Sequence, residues 1–209
     1  MFRSGGLRVL RKVGIMGGTF NPIHNGHLIL AQEALKQFSL DEVLFMPCGK
    51  PYMKDDRIVE SAQIRAEMTE LAIQDNPYFT LSVMEIEQAG NTYTYRTLER
   101  LRQENPNTEY YYIIGADSLF HMTSWRYPER IFRNCCVLSA IRNDKSASDL
   151  EKQIVLLKHE YDADIRLLRT ERIDISSSNI RDKLAAGNSI EGDVPESVRV
   201  YIEKKGLYR

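Results

Sequence analysis

Two histidines three positions apart, His24 and His27, stand in the run Gly17-Gly18-Thr19-Phe20-Asn21-Pro22-Ile23-His24-Asn25-Gly26-His27. An imidazole donates a hydrogen bond to a phosphate oxygen, more strongly when protonated. At a helix start, residues i and i+3 project from roughly one face, so the pair can address one anion. Gly17 and Gly18 let the backbone turn and approach a ligand, with Thr19 and Phe20 continuing the loop. Gly26 leaves room for a phosphate or nucleobase against the backbone. A helix opening near Asn25 aims its free N–H groups and positive dipole end at the same place. The chemistry on offer is polyphosphate binding. Zinc would need further ligands, and no Cys/His cluster supplies them. The two usual nucleotide loops, G-x-x-x-x-G-K-[ST] and G-x-G-x-x-G after a first strand, are absent.

Other residues extend this chemistry. Asp117 follows the β-branched and aromatic run Tyr110–Ile114 and the break at Gly115. A carboxylate at that edge of a parallel sheet can accept hydrogen bonds from a ribose. Ser176, Ser177 and Ser178 precede a helical stretch, so hydroxyls and backbone N–H groups form a second phosphate cradle. Arg181, one turn further, offers a planar fork to the same anion. Trp125, the single tryptophan, is an aromatic anchor. Lys50 and Lys54 stand at either end of Pro51-Tyr52-Met53 in the loop after the second strand and offer cations to phosphate oxygens.

These groups need a frame. Apolar runs alternate with helical periods, which predicts an α/β fold, a Rossmann-like doubly wound parallel sheet. Strands are expected at Lys12–Met16, Glu42–Met46, Phe79–Ile86, Tyr110–Ile114, Arg133–Ile141 and Ile165–Leu168. The first strand should end at Gly17-Gly18. Helices are expected at Gly26–Phe38, Ser61–Gln74 and Tyr93–Glu104, the last with Thr94 as candidate cap. A short helix should precede the fifth strand, and Ser177–Ala186 and Pro195–Lys204 should finish the chain. Residues 143–149 read as loop, and Tyr110, Tyr111 and Tyr112 as strand residues without a ligand role. The expected division is a core over 1–170 and a small helical C-terminal subdomain over 171–209.

With 209 residues, 43% hydrophobic and 27% charged, the chain can bury a full core. A net charge of -1 gives no general attraction to nucleic acid or to a membrane surface. No stretch nears the roughly 20 apolar residues of a membrane span. Met1 to Lys12 reads as a lead-in to the first strand. Cys135 and Cys136 read as buried thiols, and Cys48 as inert unless its pKa is lowered. A reducing cytoplasm fits this usage. A homodimer is the oligomeric option left open.

The motifs together resemble the bacterial nicotinate-nucleotide adenylyltransferase family, of the nucleotidyltransferase superfamily. The resemblance runs through residues 17–27, Thr92-Tyr93-Thr94 with Thr97-Leu98, Ile113 to Leu119 with Trp125, Ile175 to Arg181, and the tail Val198 to Tyr208. It implies adenylyl transfer from ATP to nicotinate mononucleotide, with Mg²⁺ accompanying the phosphates, for NAD biosynthesis. It places ATP on Gly17, Gly18, Thr19, Phe20, His24, His27, Gly115, Asp117, Ser176, Ser177 and Arg181. His24, His27 and Arg181 carry the catalytic charge stabilisation. The acceptor falls to Lys54, Thr94 and Trp125, the indole stacking on the nicotinate ring. Three positions depart from the family pattern: Met53 stands where histidine is usual, Arg96 where aspartate is common, and Arg126 where an aromatic is common. The alternatives are an adenylyltransferase acting on nicotinamide mononucleotide or phosphopantetheine, or a silent nucleotide-binding regulator.

Overall fold

A computed structural model of the chain describes residues 10–50, 59–141, 147–171 and 173–209. Six strands, β1 (Arg11–Gly18), β2 (Glu42–Pro47), β3 (Phe79–Leu81), β4 (Thr108–Ile114), β5 (Cys136–Ile141) and β6 (Ile165–Arg169), form one sheet in the order 3-2-1-4-5-6. Every pairing is parallel. The helices are α1 (Asn25–Phe38), α2 (Ala62–Ile73), α3 (Thr94–Glu104), α4 (Ala116–His121), α5 (Pro128–Asn134), α6 (Ala147–Tyr161), α7 (Ser177–Ala185) and α8 (Glu196–Lys205). This is the doubly wound α/β arrangement that the alternating pattern predicts.

Strand periodicity explains the two layers. Met16, Val43, Phe45, Tyr111, Ile113, Cys136 and Leu138 point to one face, against Ala31 and Ala34 of α1 and Met68 and Ile73 of α2. Ile180 of α7 and Val198 and Ile202 of α8 join that same cluster. Val13, Ile15, Tyr110, Tyr112, Ile114 and Val137 point the other way, against Leu98 and Leu101 of α3, Ile131 of α5 and Leu150, Ile154 and Leu157 of α6. A strand covered on both faces needs an apolar side chain at nearly every position, which these runs supply. Cys135 and Cys136 are free buried thiols serving opposite layers.

Several boundaries differ from expectation. β1 continues through Gly17 and Gly18 instead of ending before them, because both residues pair with β2. β3 holds only Phe79–Leu81 of the expected Phe79–Ile86; beyond it, Ile86 and Glu87 both donate to the Val83 carbonyl and close a turn. Tyr93, not Thr94, caps α3, and Thr94 is its first helical residue. Arg133 and Asn134 end α5 and do not begin β5; the Asn134 side chain donates to the Arg130 carbonyl. The sequence reading did not anticipate α6, whose first turn holds Asp149 of the loop-like stretch; residues 142–146 lie outside the described residues.

The order reverses between β1 and β4, where successive crossovers leave in opposite directions. A crevice must open there at the carboxyl ends of the strands.

Candidate active site

That crevice is a cavity of about 650 Å³, walled by Met16, Gly17 and Gly18 of β1 and by Ile113 and Ile114 of β4 with Gly115. Close packing makes the glycines necessary. A Cβ on Gly17 would sit 2.6 Å from the Tyr112 hydroxyl oxygen, and one on Gly26 would lie 2.8 Å from Ile173 and 3.0 Å from the His24 ring. The direction in which a side chain would point is filled by protein, while Gly17, Gly18 and Gly26 turn bare backbone to the cavity.

His24 is the N-cap of α1, with extended backbone at φ -148° and ψ 168°. Its N–H donates to Nδ1 of His27 at 3.2 Å, so His27 carries its proton on Nε2. The two imidazoles stack at 3.7 Å. Both line the cavity with Thr19. Burial drives the pKa of His24 down to about 4, with Asp193 pulling weakly the other way, so His24 is neutral at pH 7. Its Nδ1 is buried and has no hydrogen-bond partner among the described residues. Phe20 does not line the cavity. Its ring is 2% exposed and stands edge-on to His27 at 4.9 Å, so it supports the histidine from behind.

A second helix start meets the same space. Ser176 caps α7, its Oγ accepting from the Asn179 N–H at 3.2 Å, and Ser177 Oγ donates to the Pro22 carbonyl at 2.9 Å. Both serines line the cavity, so two positive helix ends face one volume. Arg181 is not in the cavity wall; its Nη1 donates to the Asn21 carbonyl at 2.9 Å. Asn21, 2% exposed, also accepts at Oδ1 from the Glu60 N–H at 3.1 Å and the Tyr208 hydroxyl at 2.9 Å. Asp117, exposed in the first turn of α4, stands at the cavity lip with Gly115 and Ser118.

The opposite end is aromatic. Trp125, half-buried, packs edge-on to Tyr112 at 6.2 Å and lines the cavity with Tyr93, Thr94 and Arg126. Arg126 is exposed, its guanidinium over Tyr93 at 5.3 Å and Tyr127 at 5.4 Å. Arg96 lies over Tyr93 at 5.5 Å and donates to the Tyr95 hydroxyl at 2.9 Å. Arg130 is neutralised by Glu99, but neither Arg96 nor Arg126 has a carboxylate partner among the described residues. Between the two ends, Glu85 reaches the cavity and accepts from Thr97 Oγ1 at 2.6 Å; burial holds its carboxyl above the usual range. Burial also pushes the Cys48 thiol up, keeping it protonated and inert.

The described fold therefore brings Gly17, Gly18, Thr19, His24, His27, Gly115, Asp117, Ser176, Ser177, Thr94 and Trp125 around one cavity. Phe20 and Arg181 stand behind it, and Lys54, with Met53, lies outside the described residues. No three His, Cys, Asp or Glu side chains converge as a metal cage among the described residues.

Residues 15–183 match the family model described as cytidylyltransferase-like. A probable nicotinate-nucleotide adenylyltransferase of Lachnoclostridium phytofermentans is 44% identical over 199 residues, 95% of this chain and 100% of that protein. This chain belongs to the nicotinate-nucleotide adenylyltransferase family. Another relative so named, from Dehalococcoides mccartyi, is 41% identical over 94% of this chain and 97% of its own length. The fold matches nicotinic acid mononucleotide adenylyltransferase of Plasmodium falciparum, at 20% identity and a TM-score of 0.77, over 95% of this chain and 97% of that one.

Against that family background, sequence alone does not single out Tyr112, Glu85 or Asn21. Tyr112 was assigned no ligand role, yet it forms cavity wall. Its position at the carboxyl end of β4 and its alternation with the inward Ile113 were the available signal. Glu85 and Asn21 act through partners distant in sequence, which no local pattern announces.

Proposed function

We propose that the chain transfers the adenylyl group of ATP to nicotinate mononucleotide, releasing pyrophosphate and forming deamido-NAD for NAD biosynthesis. The observation that carries this reading is one cavity with two unlike ends. One end has two helix starts and the stacked pair His24 and His27; the other has Trp125 beside the Arg126 guanidinium, which rests on tyrosine rings with no carboxylate partner among the described residues. The first suits a triphosphate, the second a flat ring bearing a negative charge. The relative with this fold was solved in complex with NaAD, and also with APC.

The acceptor's phosphate oxygen attacks the α-phosphorus of ATP, one P–O bond forms, and the bond to pyrophosphate breaks. The nucleophile is already anionic, so no general base is required and catalysis rests on positioning and charge stabilisation. His27 donates from Nε2, and His24 binds as a neutral imidazole until an anion beside it raises its proton affinity. Ser176, Ser177 and the first turn of α7 hold phosphate oxygens, and Asp117 takes the ribose. Arg181 shapes the loop through Asn21 as well as adding charge. Lys54 neutralises the leaving group in the same reading. Mg²⁺ enters with ATP as part of the substrate, held chiefly by phosphate oxygens. Among the described residues no helix is long and apolar enough to cross a membrane, and a cytoplasmic site of action belongs to this proposal.

The test is pyrophosphate release from ATP and Mg²⁺ with nicotinate mononucleotide, nicotinamide mononucleotide or phosphopantetheine offered separately. Release with the nicotinate acceptor at the highest kcat/KM is expected. Release with none would sink the transferase reading, and a preference for phosphopantetheine would sink the acceptor assignment.

A further inference from the structure

Arg65 is 1% exposed in the first turn of α2. It shares the buried face of that helix with Met68, Thr69 and Ile73, spacings at which a helix normally presents apolar side chains to a core. A guanidinium there must satisfy five N–H groups and disperse a full charge. It does so on backbone. Nε donates to the Glu60 carbonyl at 3.0 Å, Nη1 to the Thr19 carbonyl at 2.7 Å, and Nη2 to the carbonyls of Cys48 and Gly49 at 2.7 and 2.8 Å. A longer contact from Nη1 to Cys48 Sγ, 3.9 Å, completes the set. No carboxylate pairs with it among the described residues.

The acceptors come from three separate places: the phosphate loop after β1, the chain leaving β2, and the residue that leads into α2. Thr19 and Cys48 are themselves cavity wall. The Cys48 N–H donates to the Gly18 carbonyl at 2.9 Å, and the Glu60 N–H to Asn21 Oδ1 at 3.1 Å, so the bonds from Arg65 close two rings onto the same loop.

We infer that Arg65 is a positioning residue for adenylyl transfer, a buried clamp that fixes the Thr19 wall against the Cys48–Gly49 wall before any ligand arrives. The guanidinium serves four carbonyls from three separate nitrogens, whereas a lysine ammonium has only three N–H groups on a single nitrogen and leaves at least one carbonyl unbonded. The clamp also leaves a net positive charge beneath the wall that receives phosphate. Its consequence for catalysis is geometric: a displacement of about 1 Å at a reacting group costs about 10²-fold in rate.

The inference rests on the transferase reading for its kinetic test, which compares Arg65→Lys with Met68→Ala. Met68, fully buried on the same helix, makes none of the hydrogen bonds of the clamp. At a temperature well below both unfolding transitions, Arg65→Lys is expected to lose at least about tenfold in kcat/KM, with the KM for ATP and for nicotinate mononucleotide both raised. Met68→Ala should unfold at lower temperature with both KM values unchanged. Equal kinetics in Arg65→Lys and wild type would overturn the inference, whereas an inactive wild type would overturn the transferase reading itself. Should Arg65→Lys not fold, amide hydrogen exchange on the wild type decides without turnover. Slow exchange at Cys48 and Glu60 is expected without ligand, little altered by ATP. Fast exchange that slows only when ATP is added would show that the ligand sets the walls, and the clamp would be refuted.

Discussion

The two ends of the cavity are built on different principles. At the histidine end most side chains are already engaged with backbone: His27 with His24, Ser176 with Asn179, Ser177 with Pro22, and Arg181 with Asn21. At the tryptophan end the groups are side chains on side chains, with Arg96 and Arg126 resting on tyrosine rings at the surface. Backbone-held geometry is stiff and tolerates little sequence change, whereas exposed stacked cations are inexpensive to exchange. Two of the three departures expected from the family pattern, Arg96 and Arg126, lie at the tryptophan end, while Met53 lies outside the described residues.

Four experiments would break or sharpen that comparison. The largest effect is expected from His27→Ala, which removes the Nε2 donor from the stiff end: kcat should fall about 10²–10³-fold. Its unfolding temperature should move by only about 2–4 °C, the equivalent of about 1 kcal/mol in a chain of this size. A near-wild-type kcat would remove the histidine pair from the chemistry.

His24 gives a pH test of the same end. Folding lowers its pKa from 6.5 to about 4, so between those values the unfolded chain binds a proton that the folded chain refuses. The stabilising contribution is complete above about pH 6.5 and is lost as the pH falls towards 4, by up to about 3 kcal/mol. Urea unfolding of the ligand-free protein at pH 7 and pH 5 should show this loss, and His24→Asn should flatten it. An unchanged pH slope in the variant would assign the effect to other groups.

At the tryptophan end, Trp125→Ala should raise the KM for nicotinate mononucleotide about tenfold, in line with the loss of a stacked ring, and leave the KM for ATP within about twofold. Equal changes in both would mean that the two ends are not separate. The smallest effect belongs to Arg126→Ala. Its guanidinium is exposed, so the preference for the nicotinate over the nicotinamide acceptor should fall by only about two- to fivefold. That difference should shrink in high salt, which screens an exposed charge. A preference unmoved at low salt would leave Arg126 without a part in selecting the acid.

How much of this was legible in the sequence divides along the same line. Strand alternation and helical periods located the six strands and placed the signature loop at the head of α1. Residue type and local spacing suffice to single out the histidines and serines, whereas the ribose role of Asp117 and the stacking role of Trp125 rest on the family resemblance. Arg65 was not legible, because a clamp made on carbonyl oxygens leaves no trace in the identity of its partners. Its position on the buried face with Met68 and Thr69 was the only clue. Phe20, which the family resemblance places on ATP, packs its buried ring edge-on against His27 in the described fold. α6 is hard to read from sequence because the loop-like composition of Asn143, Asp144 and Ser146 continues into its first turn with Ser148 and Asp149.

The bonds that meet on Asn21 carry a consequence for how the protein comes to be folded. Two of them reach across 160 and 187 positions of chain, to Arg181 and Tyr208. Contacts so distant in sequence are among the slowest to form, since the loop entropy is lost before the contact returns anything. On a ribosome the sheet from β1 to β6 can assemble while residue 208 is still unmade. The loop made among the earliest residues is therefore among the last parts to be secured. A nascent chain would pass through a stage in which the scaffold exists and the nucleotide site does not.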